Sequence, residues 1–143
     1  MNWPKEYLGM IQSGDEVVSD KVRAVYAREC SWMINPPENF PYYFDEAEGE
    51  RHIEFIERFC KHSKGKWAGQ AVTLELWQKA FISALFGFID KDTGIRKYKK
   101  GALFVGRKNG KSTIDSGLGN FMLTKDNEGG AEVYSVATKK DQA

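Results

Sequence analysis

The stretch ALFVGRKNGKSTIDSGLGNFML (102–123) constrains this chain more than any other. Ala102 to Val105 form a short, wholly apolar run, the pattern of a strand buried on both faces. A basic loop with two glycines follows, and then Ile114, Leu118 and Phe121 or Met122 recur at helical spacing. Strand, tight loop and helix make the arrangement in which backbone N–H groups at a helix N-terminus close around a phosphate. The strict form of such a loop is G-x-x-x-x-G-K-[ST]. Here Gly106 and Gly110 have only three residues between them, and Val105 stands where the first glycine would be. The alternative is an ordinary lysine-rich turn, so the flanking sequence has to decide.

With 143 residues the chain falls in the single-domain range. Its 41% apolar and 29% charged content is that of a water-exposed globular domain. No apolar run approaches membrane-spanning length, and MNWPKEYLGM has no basic-then-apolar leader pattern, so a cytoplasmic location without membrane attachment is expected. Cys30 and Cys60 form neither a CxxC pair nor a disulfide framework and are expected to pack as small hydrophobes. The net charge of +1 conceals an asymmetry. Residues 1–95 carry 11 Lys/Arg against 15 Asp/Glu, whereas residues 96–143 carry 10 against 5. Arg96, Lys97, Lys99, Lys100, Arg107, Lys108 and Lys111 fall in one stretch with no acidic residue, which suits a polyanion. A solvated basic loop is the plainer reading of 96–100.

Upstream, apolar positions 18, 22, 25, 26 and 30 predict a helix over 17–30, stopped by Asn35-Pro36-Pro37. The segment to Phe44 is aromatic and irregular, with Tyr42, Tyr43 and Phe44 packing it down. Asp45 followed by Glu48 predicts a capped helix start, with Ile53, Ile56, Phe59 and Cys60 on its apolar side. KHSKGKWAG (61–69) ends that helix. His52 and His62 have no ligand-type neighbours at metal spacing and are expected to be exposed or half-exposed. A third helix over 74–88 places Trp77, Ala80, Phe81, Ala84, Leu85 and Phe88 along one side, with Trp77 in the core. After a turn at 125–130, AEVYSVAT (131–138) is a second strand candidate, completing the opening of a parallel βαβ unit.

Four blocks in order, FIERFCKHSKG (55–65), LELWQKAFISALFGF (74–88), GRKNGKST (106–113) and EVYSVATKKDQA (132–143), resemble the N-terminal part of the large terminase subunit of tailed bacteriophages. That family is the ATP-driven motor that packages double-stranded DNA, and its phosphate loop is itself a variant, often Arg-Lys-Asn-Gly-Lys. The resemblance implies an α/β fold: a P-loop NTPase parallel sheet of the ASCE/RecA-like kind, incomplete here. A helical region (1–95) would precede the start of the ATPase core (96–143). It implies that Gly106, Arg107, Lys108, Asn109, Gly110, Lys111, Ser112 and Thr113 bind ATP with Mg²⁺. Lys111 would hold the β- and γ-phosphates, Ser112 the metal, and Arg107 would sense or stabilise the γ-phosphate. Gln78 would contact adenine through its amide, although the residue by itself reads as a solvated helix position. Asp141-Gln142 resembles the segment after the second strand.

The same resemblance implies a portal protein and a small terminase subunit as partners, homo-oligomerisation on the portal, and the bacterial host cytoplasm as location. Hydrolysis needs an acidic residue on a later strand and a carboxylate for the attacking water. Asp115 and Asp126 are poorly placed for either role. The family's nuclease domain has no counterpart within these residues, so the chain is expected to stop inside the ATPase fold. It should then bind nucleotide weakly, without turnover, and be marginally stable. The rivals are a non-enzymatic module docking a protein partner and binding nucleic acid through its basic segment, or a fragment of another P-loop ATPase or helicase.

Overall fold

A computed structural model describes residues 1–63, 65–126 and 132–134. Five helices and a two-stranded sheet follow in chain order: α1 (Trp3–Ser13), α2 (Asp20–Ile34), β1 (Tyr42–Phe44), α3 (Glu46–Phe59), α4 (Leu76–Gly87), β2 (Phe88–Asp90) and α5 (Lys111–Thr124). Local chemistry sets most of their ends. Asn2 accepts from the Lys5 amide at 3.2 Å to cap α1, and Pro4 sits in its first turn, where no N–H is needed. Gly14, with φ +87°, closes the same helix in the left-handed conformation. Ser19 caps α2, which runs on to Ile34 before the Asn-Pro-Pro stop. Asp45 caps α3 by accepting from the amides of Ala47 (2.9 Å) and Glu48 (3.3 Å).

Helix α4 is the centre of the molecule, and no residue from 76 to 90 is exposed. On one side Ile82 and Phe86 meet Ile53 and Ile56 of α3, Ile114 of α5, and Val72 and Leu74. On another, Ala80 meets Tyr7 and Ile11 of α1 and Tyr26 of α2. Trp77 packs against both clusters, as expected of a core residue. Each such side chain, fully buried, contributes about 1.5–3 kcal/mol. The expected apolar side of this helix is corrected in part: Phe81, Ala84 and Leu85 are only half-buried, while Gln78, Ile82, Ser83 and Phe86 are buried. A helix enclosed from several directions has no single apolar stripe to read.

Three other expectations are revised. Residues 102–105 form no strand, and Phe104 is 94% exposed. A strand buried on both faces needs neighbouring strands, and the only sheet among the described residues is antiparallel β1–β2, with Tyr42 opposite Asp90 and Phe44 opposite Phe88. That pair also gives the segment before Asp45 a regular structure, where irregular chain was expected. Helix α1 carried no expectation at all. His52, expected at the surface, is 2% exposed, its ring stacked 3.8 Å from Phe86 and 4.0 Å from Phe121. His62 is half-exposed, Cys30 buried and Cys60 half-buried. Of the strand expected over 131–138 only 132–134 are described, without regular structure, and the turn expected over 125–130 and Asp141-Gln142 also lie largely or wholly outside the described residues.

His52 joins α3, α4 and α5 through this stack. Its Nδ1–H donates to the Glu48 carbonyl at 2.9 Å, and Nε2 is buried with no hydrogen-bond partner among the described residues. Burial holds the ring neutral, depressing its pKa from 6.5 to about 4 against the weaker pull of Glu48 and Asp126. Below pH 6.5 the unfolded chain therefore takes up a proton that the folded ring refuses. Stability should fall between pH 6.5 and 4 by up to ~3 kcal/mol from this group. Urea denaturation at pH 7 and pH 4.5 should show that loss, and His52→Leu should shrink the difference between the two pH values. Closer contact seats α5: a Cβ on Gly117 would lie 2.8 Å from Ile56 Cγ1. Gly117→Val should lower the unfolding free energy by about 2 kcal/mol, measured in the same assay.

Candidate functional site

The chain reaches α5 through a turn at 107–110 in which two residues take positive φ, Lys108 at +68° and Gly110 at +73°. Left-handed backbone is disfavoured for a side chain such as that of Lys108 but open to glycine. Gly110 is the N-cap of α5 and has no side chain to cap with, so the first-turn amides of Lys111 to Thr113 gain no cap from it. No acidic residue lies in that first turn. The helix N-terminus thus presents donors and partial positive charge.

Gln78 fastens this loop to α4. Its Oε1 accepts from the Glu75 amide at 2.9 Å, the reach-back half of a capping box. Its Nε2 donates to the Asn109 carbonyl at 3.3 Å. The approach is close enough that a Cβ on Gly110 would sit 3.0 Å from Nε2. Gln78 is 7% exposed, which corrects its reading as a solvated helix position. The Lys111 ammonium turns back onto the loop, donating to the carbonyls of Val105 (2.8 Å) and Gly106 (3.3 Å).

A cavity of about 800 Å³ opens beside the loop, within the range of small-ligand sites. Gln78, Lys108, Asn109, Gly110 and Thr113 line it, so five of the residues expected to act together do share one space. Gly106 instead lines a separate apolar groove of about 890 Å³, with Val22, Val25 and Phe104. Arg107, Lys111 and Ser112 line neither; Arg107 and Ser112 are exposed and Lys111 is half-buried. The far wall of the cavity includes His62, Trp67 and Gln70, from a segment whose sequence reads only as a helix-ending loop.

The basic stretch does not act as one array. Arg96 pairs with Asp126 at 3.0 Å and lies 5.2 Å from the centre of the Phe86 ring. Lys97 is half-buried, its ammonium 3.6 Å from the centre of the Trp32 ring and 5.0 Å from that of Phe88. It also donates to the Tyr98 hydroxyl at 2.6 Å, which donates in turn to buried Glu29 at 2.7 Å. Burial in this aromatic surround lowers the Lys97 pKa. Two of the seven cations are therefore committed to the fold. Lys99, Lys100, Arg107 and Lys108 are exposed and form no ion pair among the described residues.

The family model for the terminase large subunit, ATPase domain, matches residues 76–143. The terminase large subunit of Enterobacteria phage HK97 is 41% identical over 72 residues, half of this chain. Residues 76–143 are thus similar in sequence to the ATPase domain of terminase large subunits. The match spans 13% of the phage protein's own length. No solved structure matches the chain. The terminase segment begins one residue after Glu75, the N-cap of α4, so Gln78 and the whole 106–113 loop fall inside it. Among the described residues no helix is long and apolar enough to cross a membrane. Removing the amide in Gln78→Ala should cost about 1–2 kcal/mol, one hydrogen bond to the helix start and one to the loop. A lowered urea midpoint with shifted amide resonances at Asn109 and Gly110 is the expected result.

Proposed function

We propose that residues 76–126 carry a Mg·ATP site of a phage DNA-packaging motor, with 106–113 as a variant phosphate-binding loop. The observation that carries this reading is the uncapped start of α5. It lies beside a ligand-sized cavity, behind a Gly-Lys-Ser sequence, within a segment matched by a terminase ATPase family. The groups present fit an anion: first-turn amides, a lysine ammonium held among the described residues by two loop carbonyls, and no carboxylate in that turn.

Lys111 would exchange its carbonyl partners for the β- and γ-phosphates, and Arg107 would add charge at the γ-phosphate. The amides of Gly110 to Thr113 would bind phosphate oxygens, with Lys108 and Asn109 shaping the turn. The Ser112 hydroxyl would be a ligand of Mg²⁺, which would supply charge neutralisation at the phosphates. Gln78 would meet the adenine side of the nucleotide. Asp115 is exposed on α5 and Asp126 is paired with Arg96, so neither serves the cavity. A P-loop NTPase fold of the ASCE/RecA-like kind, with its parallel sheet, is the architecture this reading assigns to the whole motor. Duplex DNA, a portal protein and a small terminase subunit are the partners this reading assigns to the whole motor. The exposed Lys99, Lys100, Arg107 and Lys108 also suit backbone phosphates, which favours direct contact with DNA as a second activity.

Titration calorimetry of Mg·ATP into the chain should show saturable binding that Lys111→Ala weakens at least tenfold. Folding of both proteins would be checked by circular dichroism. Folded protein without ATP binding, yet with salt-sensitive DNA binding that survives Lys111→Ala, would replace the ATPase reading with a basic DNA-binding module.

A further inference from the structure

The loop between α3 and α4 closes the cavity on the side away from α5, and it is cross-braced. The amide of His62 donates to the Gln70 carbonyl at 2.9 Å, and that of Gly69 donates back to the His62 carbonyl at 2.8 Å. Val72 donates to the Cys60 carbonyl at 3.1 Å, and Gln70 to the Trp67 carbonyl at 2.9 Å. A 3-10 turn over Gly65–Trp67 ends on the one tryptophan of the cavity wall that stands well out from the core, 52% exposed. A large apolar ring on a braced loop, facing a cavity rather than the interior, is a surface on which a planar group can stack. The Lys66 ammonium lies 4.9 Å from its centroid, and a cation occupies one face of a ring only.

Opposite, the amide of Gln78 is engaged at both ends, its Oε1 by the Glu75 amide and its Nε2 on the Asn109 carbonyl. It retains one lone pair and one N–H, too little to hold a base in place without a second surface. The cavity therefore presents phosphate-type donors on the α5 side, a partly committed amide beside α4, and an indole on the loop. We propose that Trp67 is the base-stacking residue of this site, so that the loop around it, more than Gln78, supplies the affinity for the nucleoside half of the ligand. Gln70, exposed on the same wall, is the polar side chain nearest in sequence to that ring that also lines the cavity. The proposal rests on the phosphate-loop reading above and adds the base subsite to it.

The test separates the two halves of the ligand. Calorimetry with Mg²⁺ would compare ATP with inorganic tripolyphosphate, for the parent chain, Trp67→Ala and Trp67→Phe. Because Trp67 is exposed, its replacement should leave the fold intact, as circular dichroism would verify. The expected result is ATP weakened about tenfold in Trp67→Ala, tripolyphosphate unchanged, and most of the loss recovered in Trp67→Phe. Equal affinities for the two ligands in the parent would overturn the proposal, as would a Trp67→Ala protein that binds ATP unchanged or weakens both ligands alike. Failure of the parent to bind either ligand would overturn the phosphate-loop reading and this one with it. ATP binding that depends on Lys111 but not on Trp67 would overturn this one alone.

Discussion

The seat of α5 on α3 is the contact on which the candidate site depends. Ile114, Gly117 and Phe121 are the buried residues of α5, one turn apart on a single face. Gly117 lets the helix approach Ile56, and Phe121 closes over the neutral ring of His52. Without that seat the first-turn amides would have no fixed direction, because the loop before them makes no sheet contact among the described residues. His52 is an unusual choice for the position. A buried ring nitrogen without a partner costs on the order of 1–3 kcal/mol, and an apolar ring would avoid that cost.

A second constraint acts from α4. Gln78 satisfies the start of its own helix and reaches the carbonyl of Asn109 with the other end of the same amide. The loop is therefore held by α5 on one side and by Gln78 on the other, with Gly110 small enough to let the amide through. This explains why a loop lacking the first glycine of the strict pattern still takes a defined turn. Its positive-φ positions fall at Lys108 and Gly110, and Val105 lies outside the turn.

Charge on the sequence turned out to be a poor guide to free charge on the surface. Seven cations without an acidic neighbour read as one polyanion site, yet Arg96 is spent on Asp126 and Lys97 on Trp32, Tyr98 and, through Tyr98, Glu29. Both partnerships span long stretches of chain, 30 residues for Arg96 with Asp126 and 69 for Tyr98 with Glu29. Local composition cannot reveal them. They brace the connection between β2 and the loop, which is a structural use of charge where a binding use was expected.

What the sequence by itself determined were the local signals: Asp45 as a helix start, Asn35-Pro36-Pro37 as a stop, Ile53 and Ile56 of α3 and Ile114 and Phe121 of α5 as inward positions, and Gly-Lys-Ser at a helix N-terminus. These depend on interactions within one turn of chain, so residue order is enough to specify them. The tertiary structure alone decided which side of α4 is most buried, that His52 lies inside, and that Gln78 meets Asn109. It also decided that Trp67 faces the same cavity as the loop. Each of these joins segments that sequence order keeps apart, and burial and cross-chain hydrogen bonding exist only once those segments have packed. The strand expected at 102–105 has the same explanation, since a strand is defined by its neighbours.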